Sequence, residues 1–243
     1  MENKKYYCAY EKRYKAVYDA GAEFWGHTPD DEELKIVLEK WIEDNNLKNK
    51  KIIEFACGEG AAGVILSKLG CEYLGIDISP SAIRKAKSIL NTFPNAKVEL
   101  IDMVDQKLTD EYDAALDVMG FHMLITDIDR IKYLKNAQSC LKNGSPMLFF
   151  RELYDNNAYD GLINDFDEWL KVTGSDYNTP RQMSFQKDGK DTEIYIPYVP
   201  GRTNSKNGYL KEMKTAGFIV DNIFEMPTSR KVPHSVSIYV HKP

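Results

Sequence analysis

The stretch that decides the fold is KIIEFACGEGAAGVILSKLGCEYLGID, residues Lys51–Asp77. It contains an apolar strand that ends near Glu54, a glycine-rich loop at Ala56–Gly60, a short helical pattern, and a second apolar strand that ends at Asp77. In an open α/β sheet, ligands bind beside the carboxyl ends of the parallel strands. The stretch therefore predicts a small-molecule pocket that is bordered by a glycine loop and two carboxylates.

The loop and Asp77 together indicate a cofactor that contains a nucleoside. Gly58 and Gly60 lack a Cβ atom, so the backbone turns sharply there and comes close to a ligand. Asp77 follows Gly58 by 19 residues, a position from which a carboxylate accepts hydrogen bonds from ribose hydroxyls. The alternative is that both glycines only form a tight turn between strand and helix.

Two kinds of cofactor are compatible with this loop. Gly58–Gly63 matches the G-x-G-x-x-G pattern of dinucleotide sites, which keeps an NAD(P)-dependent oxidoreductase open. A dinucleotide would place its pyrophosphate near Glu54 and Glu59, and two like charges at about 4 Å near a protein surface repel by about 4 kcal/mol. The ammonium and sulfonium groups of S-adenosylmethionine would be attracted by both carboxylates, so charge favours this second cofactor.

Three motifs in order resemble those of the class I S-adenosylmethionine-dependent methyltransferases. The first, EFACGEG at residues 54–60, departs from the family pattern at Ala56, where glycine is usual. The second is Asp77 at the end of the second strand, and the third is Asp102 after the third strand. The resemblance implies a methyltransferase that acts on a small molecule and releases S-adenosylhomocysteine. It also implies an α/β, Rossmann-like fold: a mostly parallel seven-stranded sheet flanked by helices, with an antiparallel final strand.

The resemblance further implies which residues form the site. Contacts with the methyl donor are expected from Trp25, Glu54, Ala56, Gly58, Gly60, Asp77, Ile78, Asp102, Met103 and Asp117. His122 is a candidate catalytic base because an imidazole takes up a proton near neutral pH, and Asp117 either orients it or binds a cationic acceptor. In the other interpretation His122 only packs beside the next helix, because methyl transfer often needs no protein base. No metal is expected.

The chain is predicted to be one domain with two additions to its core. In sequence order the parts are an N-terminal helical lid at 1–48, the cofactor-binding core at 49–153, a substrate cap at 154–201, and a C-terminal helix with the final strands at 202–243. Two helices are expected in the lid, the second following Asp30 and running to about Trp41. Trp25 lies between them and is either a lid residue or an ordinary core tryptophan.

A tyrosine stripe marks the first lid helix, and aromatic residues mark the cap. Tyrosines recur every four residues at Tyr6, Tyr10, Tyr14 and Tyr18, which indicates a packed helix face. In the cap, residues 160–172 have the apolar spacing of a helix, and residues 181–185 and 192–197 are predicted to form a hairpin around Asp188 and Gly189. The cap is expected to cover the substrate; a dimerisation arm is the alternative.

Composition limits the remaining functions. The formal net charge of −5 over 243 residues, without a long basic run, argues against an extended nucleic-acid surface. No apolar run reaches the roughly 18 residues that a spanning helix needs, so a cytoplasmic monomer or homodimer without membrane contact is expected. The four cysteines lack C-x-x-C spacing, which favours reduced thiols. A non-catalytic S-adenosylmethionine or S-adenosylhomocysteine binder also stays open.

Overall fold

A computed structural model describes residues 5–187, 190–228 and 233–243. Its strands are β1 (Lys51–Phe55), β2 (Glu72–Asp77), β3 (Ala96–Leu100), β4 (Ala114–Val118), β5 (Pro146–Leu153), β6 (Arg181–Lys187), β7 (Lys190–Ile196), β8 (Ile219–Glu225) and β9 (Ser235–His241). Its helices are α1 (Ala9–Asp19), α2 (Glu32–Asp44), α3 (Ala61–Lys68), α4 (Pro80–Leu90), α5 (Asp127–Ser139), α6 (Phe166–Thr173) and α7 (Lys206–Ala216). Short 3-10 turns cover Tyr6–Cys8 and Phe121–Met123.

Seven strands form one sheet in the order β3-β2-β1-β4-β5-β9-β8. The first five in this order are parallel, and β9 runs antiparallel to both of its neighbours. The central strands read as nearly continuous apolar runs because helices cover both faces of the sheet. The predicted Rossmann-like α/β fold, with its reversed final strand, is confirmed.

Local capping explains where several helices begin. The Ser79 hydroxyl accepts the Ala82 N–H at 3.1 Å, and Pro80 fills the first helical position of α4. Asp31 caps α2 by accepting the Leu34 N–H at 3.1 Å, and this helix continues three residues beyond the predicted end at Trp41. Local capping therefore fixes where α2 and α4 begin.

The prediction of a helix over residues 160–172 was wrong at its start. The helix α6 begins at Phe166, after Asp165, whose carboxylate accepts the Glu168 N–H at 2.9 Å. Ile163 lies before the helix and exchanges two hydrogen bonds with Asp127, because its N–H donates to the Asp127 carboxylate at 2.7 Å and its carbonyl accepts the Asp127 N–H at 2.9 Å. This long-range pairing holds residues 160–165 in an irregular conformation.

The hairpin predicted in the cap is present as β6 and β7, with Arg181 opposite Ile196. The predicted turn residues Asp188 and Gly189 lie outside the described part of the chain. Within that part, no helix is long and apolar enough to cross a membrane.

A β-bulge in β5 interrupts its pairing with β9 between Phe149 and Glu152. Arg151 at the bulge has a left-handed backbone, with φ at 60°, and its buried guanidinium donates to Glu33 on α2, to Ser235 Oγ at 3.0 Å and to the Pro227 carbonyl at 3.0 Å. Bulges change the face toward which the following side chains point. Glu152 follows the bulge and is fully buried.

Candidate functional site

Two adjoining cavities lie at the carboxyl ends of the parallel strands. The inner cavity is bordered by Ala56, Asp77, Ile78, Asp102 and Met103, together with tyrosines of the lid. The outer cavity has a volume of about 1250 Å³ and lies between the glycine loop, residues 24–28, and the cap. Of the predicted site residues, Trp25, Glu54, Ala56, Gly58 and His122 line the outer cavity, whereas Gly60 and Asp117 line neither.

The glycine loop has the conformation that its sequence predicts. Gly58 and Gly60 have φ angles of 52° and 82°, which L residues with a Cβ atom rarely adopt. A Cβ atom at Gly58 would lie 2.8 Å from the Tyr14 hydroxyl, and one at Gly60 would lie 3.0 Å from Leu90 Cδ1. Gly58 therefore permits close approach to the cavity, and Gly60 serves the start of α3 and its packing on α4.

Ala56 and Met119 both have left-handed backbones, with φ angles of 53° and 60°. They follow the neighbouring strands β1 and β4 and both line the outer cavity. Non-glycine residues in this region cost roughly 1–2 kcal/mol, and such strain concentrates at functional sites. Ala56, at the position where the family pattern usually has glycine, thus has a backbone conformation that glycine adopts more readily.

Asp77 lies at the end of β2 and holds the glycine loop. One carboxylate oxygen accepts the Gly58 N–H at 2.9 Å, and the other accepts the Ser79 N–H at 2.7 Å. Burial raises the pKa of Asp77 to about 6, against the lowering effect of these two N–H donors. A carboxylate has about four acceptor sites, so the group keeps capacity for ribose hydroxyls.

Glu54 is buried at the end of β1, where it accepts a hydrogen bond from the Tyr73 hydroxyl. Burial raises the pKa of Glu54 to about 8, although the Tyr73 hydrogen bond opposes this shift. The carboxyl borders the outer cavity beside the glycine loop. A cation placed next to this carboxyl would lower its pKa and favour the ionised form.

Asp102 follows β3, but its oxygens are in contact with the lid. Its carboxylate accepts from the Lys5 ammonium and from the Val104 N–H at 3.0 Å, and the Tyr7 hydroxyl lies 3.4 Å away. The inner cavity has a free volume of only about 50 Å³, whereas pockets for drug-sized ligands have about 300–1,000 Å³. The residues fit a nucleoside in chemistry, and the cavity beside them is small and bordered by Tyr7, Tyr10 and Tyr14 in this structure.

Two tyrosines of the stripe, Tyr10 and Tyr14, border the inner cavity together with Tyr7, which lies outside the stripe. The Tyr10 hydroxyl donates to the Pro200 carbonyl of the cap at 2.5 Å. Trp25 packs on Tyr14 with a centroid distance of 5.0 Å and borders the outer cavity. These contacts agree with the lid interpretation of Trp25.

Glu59 was expected to attract the positive charges of S-adenosylmethionine, but its carboxylate is occupied by hydrogen bonds from the lid. Its carboxylate accepts the Trp25 N–H at 3.0 Å, the Gly26 N–H at 2.8 Å and the Tyr18 hydroxyl at 2.8 Å. The carboxylate thus connects the glycine loop to the lid. Glu54 and Glu59 were the two carboxylates expected to attract the cofactor. Among the described residues, Glu54 has no such hydrogen bonds from the lid.

His122 lines the outer cavity next to a carboxylate that the sequence analysis did not identify. Its Nδ1 lies 2.9 Å from Glu152 Oε2, which also accepts the His122 backbone N–H at 2.6 Å. Both side chains are buried. A carboxylate on Nδ1 fixes the imidazole so that Nε2 is the nitrogen available to another group.

Asp117 does not have the direct site contact that was expected. Its side chain is fully buried, and it accepts the Gly120 N–H at 2.6 Å, the Phe121 N–H at 3.2 Å and the Tyr133 hydroxyl. Burial, followed by the nearby Glu152 carboxylate, raises the pKa of Asp117 well above its usual range. The residue shapes the turn that carries His122 and lies behind the cavity wall.

A second histidine at the outer cavity was missed. His27 Nδ1 lies 2.6 Å from Asp31 Oδ2, and its Nε2 lies 3.2 Å from Met119 Sδ. The spacing of four residues between His27 and Asp31 was visible in the sequence, but Asp31 also caps α2, and nothing in the spacing placed the pair at the site. Across the described ranges, no group of three or more His, Cys, Asp or Glu side chains forms a potential metal site.

The four cysteines, Cys8, Cys57, Cys71 and Cys140, are free thiols. Cys57 lies inside the glycine loop, where burial raises its thiol pKa well above the usual range. A thiol with a raised pKa is a poor nucleophile. Cys57 is therefore a small apolar filler of the loop.

Comparison with known proteins finds similarity to methyltransferases. Residues 52–144 match a family described as a methyltransferase domain. The ribosomal protein L11 methyltransferase of Haemophilus influenzae is 28% identical over 179 residues, which cover 62% of this chain and 59% of that protein. The chain thus spans about three fifths of that relative's length. The putative methyltransferase YqeM of Bacillus subtilis is 24% identical over 220 residues and is matched over 84% of this chain and 85% of its own length.

A solved structure gives the same fold. The S-adenosylmethionine-dependent methyltransferase from Clostridium acetobutylicum superposes with a TM-score of 0.64, covering 94% of this chain and 96% of that one. The two sequences are 12% identical, so this likeness concerns the fold alone.

Proposed function

We propose that this chain, which resembles the class I S-adenosylmethionine-dependent methyltransferases and matches a methyltransferase domain over residues 52–144, transfers a methyl group to a small molecule bound in the outer cavity. The observation that carries the proposal is the pair of adjoining cavities beside the glycine loop. The family's cofactor supplies a methyl group on a sulfonium, an electrophile that needs an acceptor placed in line with it. The task of the protein is to position the acceptor and exclude water.

The cofactor residues divide between the two cavities. We assign the ribose to Asp77 and the adenine amino group to Asp102, both of which border the inner cavity. Glu54 is assigned to the ammonium of the methionine end, since it is a buried carboxyl at the outer cavity. In this arrangement the transferable methyl faces the outer cavity, which His122, Trp25 and the cap enclose.

A small acceptor fits this enclosure better than a folded protein does. The lid and the cap meet above the site, because Tyr10 donates to the Pro200 carbonyl and Arg13 donates to the Pro197 carbonyl at 2.6 Å. The matched Haemophilus protein is named for ribosomal protein L11, so a protein acceptor is an outcome that the assay must be able to detect.

Two measurements test the proposal. S-adenosylhomocysteine at 100 times its dissociation constant should stabilise the protein by about 2.7 kcal/mol in a thermal-shift assay, and NAD or NADP should not. Stabilisation by NAD and not by S-adenosylhomocysteine would contradict the methyltransferase proposal and favour an NAD(P)-dependent oxidoreductase. A panel of amines, phenols, thiols and carboxylates, read by release of S-adenosylhomocysteine, should contain an acceptor. Cofactor binding without transfer to any member, but with transfer to proteins of a cell extract, would overturn the small-molecule assignment.

A further inference from the structure

We propose that the outer cavity contains a subsite for an oxyanion, carboxylate or phosphate, formed by Arg13 and Arg181, and that the methyl acceptor is an anionic molecule with a flat apolar body. This inference rests on the proposed function, because it names the class of molecule that the site methylates. Both arginines line the outer cavity. Neither was singled out by the sequence.

Arg13 is held rigidly at the boundary of lid and cap. Its Nε and Nη2 both donate to the Pro197 carbonyl, at 2.8 and 2.6 Å, and its guanidinium lies 5.1 Å from the Trp25 ring centroid. These contacts leave Nη1 available. A guanidinium fixed by a carbonyl and an aromatic ring is preorganised to bind an oxyanion at its remaining N–H groups.

Arg181 lies at the start of β6, with its guanidinium 4.3 Å from the Tyr198 ring centroid. Arg13 and Arg181 both border the outer cavity. Burial lowers the pKa of Arg13, the nearby tyrosines oppose this effect, and the charge of Arg181 lowers the pKa further. Two like charges in one cavity are unfavourable unless an anion is placed between them.

The described structure supplies no such anion from the protein. Its arginine ion pairs are formed by Arg130, Arg151 and Arg202, each with a carboxylate within 4.0 Å. The exposed Asp176 feels the charge of Arg181, but its oxygens accept from Thr179 and the Asn178 N–H. Among the described residues, no carboxylate lies within ion-pair distance of Arg13 or Arg181.

The charged residues that line the outer cavity belong to different segments, and the carboxylate of Asp155, just after β5, also borders it. Glu54 and Glu59 lie at the glycine loop, which is the side of the methyl donor. The two arginines lie at the lid and cap, among Trp25, Phe185 and Tyr198. An acceptor with an anionic end would therefore be oriented, with its anion at the arginines and its reacting atom toward the methyl group.

Matched ligands test the subsite without requiring turnover. Calorimetric titration of the protein, saturated with S-adenosylhomocysteine, would compare phenylacetate, phenyl phosphate and phenylacetamide, and then indole-3-acetate with indole-3-acetamide. At least one anion should bind tenfold or more tightly than its neutral counterpart. The carboxylate and phosphate arms show which oxyanion is preferred. Equal affinities of anions and amides, or no binding of any anion, would overturn the proposal.

Variants then locate the preference. Arg181→Gln is on an exposed residue, so the fold should persist, and it should reduce the preference for the anion at least tenfold. Arg13→Lys keeps the positive charge but loses the planar guanidinium that donates two parallel hydrogen bonds. This variant should reduce the preference for the anion by a smaller factor. Arg84→Gln, on α4 and outside the lining of the outer cavity, is the matched control and should change nothing. Unchanged preference in both cavity variants would place the anion elsewhere.

The outcomes separate this proposal from the proposed function. Anion binding that depends on the arginines, with no methyl transfer to any acceptor, would support the subsite and contradict the enzyme assignment. Transfer to neutral acceptors alone, at rates that Arg181→Gln leaves unchanged, would support the enzyme and contradict the subsite.

Discussion

The Nδ1 atom of His122 lies 2.9 Å from Oε2 of Glu152. The same oxygen accepts the His122 backbone N–H at 2.6 Å, so one buried carboxylate fixes both the main chain and the ring. The bulge at Arg151 brings Glu152 to this position. The relationship joins β5 to the turn after β4, where the acceptor side of the site begins.

His122→Gln should lower turnover at least tenfold, or about 1.4 kcal/mol, if the ring acts on the acceptor, and it should leave S-adenosylhomocysteine affinity unchanged. The measurement is the rate at saturating substrate with an acceptor from the panel. His241→Gln is the matched control, since His241 lies at the far end of β9 beside Asp221. Full turnover in His122→Gln would restrict His122 to packing.

Glu54 gives the apo protein a dependence on pH. Its folded-state pKa of about 8 lies above the ordinary 4.5, so the folded protein keeps a proton that the unfolded chain releases. This contribution to stability is fully present below pH 4.5 and is lost as pH rises toward 8, at about 1.4 kcal/mol for each pKa unit. The free energy of unfolding of the wild type should therefore fall between pH 5 and pH 8, whereas that of Glu54→Gln should not show this fall. The variant should gain stability relative to the wild type as pH rises from 5 to 8.

Urea denaturation of both proteins at the two pH values checks this expectation. Exposed Glu72 on β2 provides the control variant Glu72→Gln, which should follow the wild type. Glu54→Gln should also reduce the stabilisation by S-adenosylhomocysteine, because it lacks the charge that faces the ammonium. A stability difference that is the same at pH 5 and pH 8 would contradict the raised pKa.

Glu59 should control closure of the lid. In Glu59→Ala the hydrogen bonds from the Trp25 and Gly26 N–H groups to the Glu59 carboxylate are lost. Residues 20–28 should therefore become more susceptible to limited proteolysis, and S-adenosylhomocysteine should bind at least tenfold more weakly. Glu23→Ala is a control in the same turn, where the Glu23 side chain is 78% exposed. Equal cleavage and affinity in both variants would show that Glu59 does not hold the lid.

The parts of the fold that could be predicted are those in which local chemistry decides the structure. Buried parallel strands, the glycine loop, and the cap of α4 by Ser79 all have signals within a few residues. The start of α6 could not be predicted in this way, since it depends on the pairing of Ile163 with Asp127, 36 residues earlier. Apolar spacing alone extended that helix to residue 160.

In the candidate site, too, residues placed by local sequence could be predicted, and contacts between distant segments could not. Asp77 ends β2 and Asp102 follows β3, so both were identified from their positions in the sequence. The contact between Asp102 and Lys5 was not predicted. Glu152 lies beside His122 after a bulge that interrupts β5, and Arg13 on α1 and Arg181 in the cap line the same cavity. Such contacts join distant segments, and a single sequence carries no signal for them.

The last prediction concerns Ala56 and Gly120, which face each other at the carboxyl edge. A Cβ atom at Gly120 would lie 2.5 Å from Ala56 Cβ and 2.9 Å from Asp117 Oδ1. Gly120 has φ at −101°, a value that alanine adopts without strain, so the cost of Gly120→Ala comes from these contacts. That cost should fall when Ala56→Gly removes the nearer atom, although the contact with Asp117 remains.

A double-mutant cycle measures this coupling by urea denaturation. Ala56→Gly alone should change stability by only about 0–1 kcal/mol, because relief of the left-handed backbone is offset by the greater entropy of the unfolded chain. The coupling with Gly120→Ala should reach about 0.5–3 kcal/mol, the range for residues in contact. Gly201→Ala is the control, since its Cβ would lie an ordinary 3.5 Å from Leu153, and its effect should add to that of Ala56→Gly. Additive effects at Gly120 as well would mean that Ala56 does not limit the turn beside the site.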